Sequence, residues 1–120
     1  MGINVRSTKA IDYAGLIVNG TKTLETRETN SLKPYIGKRV GIIRTGRGKA
    51  QLIGFVTIGR PIEVNQREFG MLFMEHLVPM NSEFDCKLGK TKFCYPLRDP
   101  QLHPPTDVDS KGIIARQISF

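Results

Sequence analysis

The stretch Gly20-Thr21-Lys22-Thr23-Leu24-Glu25-Thr26-Arg27 joins two kinds of periodicity, and its reading decides the rest of the chain. Before it, Ile11, Ala14, Ile17 and Val18 recur at steps of three and four, so the spacing predicts a helix over about 9–19 with Thr8 as its N-cap. Gly20 then stands where a left-handed C-cap is wanted. After it, residues 23–27 alternate as in a strand, with Thr23, Glu25 and Arg27 on one face and Leu24 and Thr26 on the other. A helix therefore hands over to a strand within a polar motif. On a regular strand Lys22 would face away from Glu25 and Arg27, so their convergence requires a bend at Gly20–Thr21.

Outward from this point the strand signals dominate. Pro34-Tyr35-Ile36-Gly37 reads as a turn, and Arg39–Arg44 as a strand followed by the loop Thr45-Gly46-Arg47-Gly48-Lys49. Gln51–Ile58 is a further strand, with Gly54 and Gly59 marking a bulge or bend. Asn65 and Glu68 have capping-box spacing for a helix over about 66–77, with Phe69, Leu72, Phe73 and Leu77 as its buried face. Lys92–Leu97 and Ile113–Phe120 read as closing strands, joined by an irregular, proline-rich connection over Pro100–Lys111. About five or six strands with two or three short helices predict an α+β barrel. The connection between 39–44 and 51–58 is too short for the crossover helix of a parallel sheet.

The 120 residues fit one domain, long enough to bury roughly two thirds of the unfolded surface. A hydrophobic content of 39% and a charged content of 24% describe a globular chain rather than a disordered one. No apolar run approaches the roughly 20 residues that span a bilayer, and Met1–Ser7 lacks a signal-peptide core, so a cytoplasmic protein is expected. Arg6 also breaks the myristoylation pattern. Cys86 and Cys94 are too few for a disulfide scaffold, and with His76 and His103 they match no zinc spacing. Neither metal nor cofactor is predicted.

Charge is unevenly placed. Residues 1–49 carry ten Lys/Arg against three acids, whereas residues 50–120 carry eight of each sign, so the net +7 belongs to one half. Such a field attracts phosphates and other anions. A carboxylate between two cations stays ionised and orients both. A lysine in a partly dry cleft sheds its proton more readily and can act as base or nucleophile. Arginine offers a planar fork for phosphate, carboxylate or a base edge. Lys22, Glu25 and Arg27 are thus the candidate site, although the same spacing also describes a solvated surface triad. Arg44, Arg47 and Lys49 are candidate phosphate ligands beside a glycine-containing loop, and Tyr35 and Tyr95 candidate base-stacking rings.

The run from Arg6-Ser7 through Tyr13-Ala14 and Leu16-Ile17, then Gly20-x-Lys22-x-x-Glu25-x-Arg27 and Tyr35-x-Gly37, resembles the N-terminal half of ASCH domains. Tyr95-Pro96-Leu97-Arg98-Asp99-Pro100, Pro104-Pro105 and Lys111-Gly112 are similar to the closing part of that family. The resemblance implies a small PUA-like β-barrel with a cleft for RNA, nucleotides or nucleosides. One bacterial branch hydrolyses acetylated cytidine with a lysine, a threonine three residues on and a distant glutamate. Lys22 matches the lysine, but Glu25 occupies the threonine position, and Glu68 and Glu75 are the nearest choices for the acid. Three readings stay open: a binding module for RNA or a nucleoside-type molecule, a hydrolase using Lys22 and Glu25, or an adaptor for a protein partner.

Overall fold

The computed structural model describes residues 1–108, and the expected strand over 113–120 lies outside them. Six strands curl into a half-barrel: β1 (Gly2–Arg6), β2 (Leu24–Arg27), β3 (Arg39–Thr45), β4 (Gln51–Ile58), β5 (Ile62–Asn65) and β6 (Thr91–Asp107). Three short helices accompany them: α1 (Tyr13–Val18), α2 (Gln66–Met71) and α3 (Phe73–His76). The strand order is β1-β3-β4-β6-β2, with β5 also on β6. β1 runs parallel to β3, and every other pairing is antiparallel. The α+β fold class expected from the sequence is therefore present.

β6 organises the sheet. Its first residues lie between β2 and β5, so that Cys94 is opposite both Thr26 and Ile62. Its later residues pair with β4, from Ile58↔Leu97 to Gln51↔Asp107. The irregular connection expected from Pro100 onward is thus strand as far as Asp107. The prolines are accommodated because the register shifts twice: Pro100 falls between the Thr57↔Arg98 and Phe55↔Gln101 pairs, and Pro104 and Pro105 between Gly54↔Leu102 and Leu52↔Thr106. A proline cannot donate to a ladder, and bulges are where none is required.

Two helical expectations are corrected. α1 begins at Tyr13, because Asp12 rather than Thr8 caps it: the Asp12 carboxylate accepts from the Gly15 N–H at 3.1 Å. Thr8 instead closes a turn by accepting from the Ile11 N–H at 3.0 Å. The helix expected over 66–77 is two helices broken at Leu72. Its capping box is present, with Asn65 and Glu68 each accepting from the other's N–H at 2.9 Å. Phe69 is buried but Phe73 is 43% exposed, and His76 takes the inward place. The core is formed by residues such as Ile3, Ile17, Val40, Ile42, Val56, Ile58 and Tyr95.

A polar cleft between the helix cap and the sheet

Gly20 has φ of 87° and ends α1 as a left-handed residue. The reversed chain returns the Lys22 N–H to the Leu16 carbonyl at 2.8 Å, which supplies the bend that convergence requires. The chain is then stitched to α3: the Thr23 N–H donates to the Glu75 carbonyl at 2.9 Å, and the Lys22 ammonium to the His76 carbonyl. Lys22 is only 2% exposed and lies 5.4 Å from the centre of the Tyr13 ring. Glu25, 6% exposed, accepts from the Arg27 Nε–H at 3.0 Å. Arg27 also donates to the Asn4 carbonyl at 2.6 Å, tying β2 to β1.

These three side chains line one cavity of about 360 Å³, within the usual range for small-molecule sites. Its apolar wall includes Tyr13 and Phe84, whose rings meet edge-to-face at 5.8 Å. Asn4, Lys92, Arg6 and Glu28 add further polar lining. Burial pulls the Lys22 amine down from 10.5 to about 8, with the nearby Arg27 charge acting the same way and Glu25 opposing it. His76 supports the wall from behind. Its ring stacks on Phe69 at 3.9 Å, its Nδ1 accepts from the Val78 N–H, and its Nε2–H therefore donates to the Phe69 carbonyl. Burial lowers the His76 pKa, in keeping with this neutral tautomer.

The other candidate residues are elsewhere. Tyr95 is fully buried; its hydroxyl donates to Asn30 Oδ1 at 2.5 Å and accepts from the Leu32 N–H at 3.2 Å, so its ring is core rather than a stacking surface. Tyr35 is half-buried against the core and does not line the cavity. Arg44 pairs with Asp12 at 3.0 Å and borders a second hollow with Asn19 and His103. Arg47 donates to the carbonyl of Thr8 at 2.7 Å and so secures the Thr8 turn, Lys49 is exposed, and neither basic side chain lines the cleft. Glu68 serves the helix cap, and Glu75 does not reach the cavity lining. The sequence reading missed Asn4, Tyr13, Phe84 and Lys92 as lining. For Lys92 a signal existed, because it stands two residues from Cys94 in a strand and so shares the phase of an apolar position.

A small α+β half-barrel with a polar cleft at the first helix cap is the class that fold and site define. No protein-family model matches the chain, and no curated protein sequence matches it. Solved structures do match. The crystal structure of ASCH from Zymomonas mobilis is 23% identical, covering 88% of this chain and 72% of that one, with a TM-score of 0.71. Structures of two point variants of that protein give TM-scores of 0.69 and 0.66 at 20% and 24% identity. They cover 87% and 88% of this chain, and 72% and 74% of theirs. The fold of this chain is that of the ASCH domain.

Proposed function

We propose that this chain is a binding module whose cleft takes a nucleoside, a nucleotide or an exposed RNA base. The observation that supports this is the cavity itself: buried Lys22 and Glu25 and a half-buried Arg27, all held by hydrogen bonds, line a space walled by Tyr13 and Phe84. A planar, polar-edged molecule suits such a site, with its face against the aromatic wall and its edge against fixed donors and acceptors. Glu25 Oε2 is taken by Arg27, which leaves Oε1 for a ligand N–H. The stacking role passes from Tyr35 and Tyr95 to Tyr13 and Phe84.

The test is titration calorimetry with the four ribonucleosides, their 5′-monophosphates and a short single-stranded RNA. Binding to at least one class is expected, weakened by about 100-fold or more in Lys22→Ala with the fold retained. RNA affinity should fall with rising salt at a slope of about 0.7 per phosphate contacted. Absence of binding across all three classes would overturn the reading.

A hydrolase reading is favoured by one observation, the Lys22 amine held at about 8 and facing the cavity. A neutral amine there can take a proton from water as the water attacks an acyl carbonyl, with Arg27 facing the developing oxyanion. Glu25 would relay the proton to the departing amine, so that an N-acetylcytidine yields acetate and cytidine. Turnover that vanishes in Lys22→Ala, with nucleoside binding to the wild type intact, marks this case. Binding without product leaves the module reading in place.

A further inference from the structure

Lys92 is a cation of the cleft to which the fold gives no partner among the described residues. It lies on β6 opposite Val64 of β5 and is 6% exposed. Among the described residues its ammonium has no hydrogen-bond or ion-pair partner. The groups whose titration it influences are the buried thiols of Cys86 and Cys94. Its stem is buried while its ammonium keeps access to the open cavity, where an anion can meet it. Of the other cations of the cleft, Lys22 is engaged with the His76 carbonyl and Arg27 with Glu25 and the Asn4 carbonyl, while Arg6 is exposed at the rim. Lys92 lines the same cavity with its capacity unspent.

A second observation comes from the facing strand. Asn4 also lines the cavity, and its Oδ1 is buried with no hydrogen-bond partner. An orphaned acceptor and an orphaned cation border one space. The sequence reading assigned phosphate to Arg44, Arg47 and Lys49, but none of them lines this cavity.

We infer that Lys92 is the anion-binding group of the cleft and Asn4 Oδ1 a donor-reading group. The ligand class so defined carries a phosphoryl group together with a neutral N–H or O–H edge: a nucleoside 5′-monophosphate, free or at the end of an RNA strand. This rests on the nucleoside-type reading of the cleft given above. An ammonium and a phosphate brought together away from water form a charge-assisted contact far stronger than a surface pair.

The experiment measures affinity ratios within matched pairs by calorimetry. One pair is each ribonucleoside with its 5′-monophosphate; the other is a hexaribonucleotide with a 5′-phosphate or a 5′-hydroxyl. The phosphorylated member is expected to bind at least tenfold more tightly. That ratio should fall to about one in Lys92→Gln and Lys92→Met and persist in Lys90→Gln, whose side chain is exposed just before β6 begins. A preference confined to the mononucleotide pair identifies a free nucleotide, and one confined to the RNA pair identifies a strand end. Because the Lys92 ammonium makes no hydrogen bond or ion pair within the described residues, Lys92→Met should melt no lower than the wild type, and a 5′-monophosphate should raise the wild-type Tm but not the variant's. Equal binding of both members, a preference that survives Lys92→Gln, or a Lys92→Met that unfolds would each overturn the inference while leaving the nucleoside reading standing. Failure of every nucleoside, nucleotide and RNA to bind removes both.

Discussion

Replacing Lys22 by methionine should abolish an alkaline rise in stability that the wild type shows between pH 8 and 10.5. The unfolded lysine titrates at its ordinary 10.5, whereas burial holds the folded one at about 8. Between these values the unfolded chain carries a proton that the folded chain has lost, so stability climbs with pH. Below 8 both states are protonated and the burial penalty is fully present; above 10.5 it has gone. At about 1.4 kcal/mol per unit, the rise is about 3 kcal/mol. Cys94 works against it, because its thiol is raised from 9.0 to about 11 by burial, a contribution lost as pH rises through that window. The measurement is therefore a difference: denaturant unfolding of wild type and Lys22→Met at pH 7, 8, 9 and 10. The wild type should gain on the variant by most of 3 kcal/mol across that series. A flat difference would mean that Lys22 is hydrated and that the cleft is not the dry pocket described.

The second large effect falls at Gly54, remote from the cleft lining. A Cβ built there would lie 2.5 Å from Val18 Cγ1 and 2.7 Å from Val18 Cβ, and nearer still to the Gln101 carbonyl oxygen. Backbone on one side and the last turn of α1 on the other leave no direction of relief. Gly54→Ala should therefore lose about 3 kcal/mol, at the upper end of overpacking costs. The displaced element would be α1, whose cap at Gly20 sets the path of Lys22, so ligand affinity should fall with stability. Gly54→Ala combined with Val18→Ala should recover part of the loss, since the two side chains share one space. A Gly54→Ala protein within 0.5 kcal/mol of wild type, the scale of ordinary surface substitutions, would show that α1 is not seated as described.

The legible parts of the fold were those set by near neighbours. β3, β4, the turn at 34–37, the left-handed Gly20 and the Asn65–Glu68 box all announce themselves within a few residues. β1 does not, because Ile3 and Val5 become a strand only through parallel pairing with β3 some forty residues on. β6 was cut short at Pro100 for the opposite reason. Its prolines forbid a regular ladder, and only the register shifts against β4 show that none is needed there.

The sequence by itself determined the strand-rich class, the helix-to-strand handover and which amine, acid and guanidinium sit beside it. Their spacing alone also fitted an exposed triad. Tertiary structure decided that Lys22 and Glu25 are buried, that Tyr13, Phe84, Asn4 and Lys92 complete the cavity, and that Tyr95, Arg44, Arg47 and Lys49 do not. The reason is physical. Caps, turns and alternation are local hydrogen-bonding and steric preferences, whereas desolvation depends on how distant segments close over a side chain, and it is desolvation that turns an ordinary lysine into one poised near neutrality.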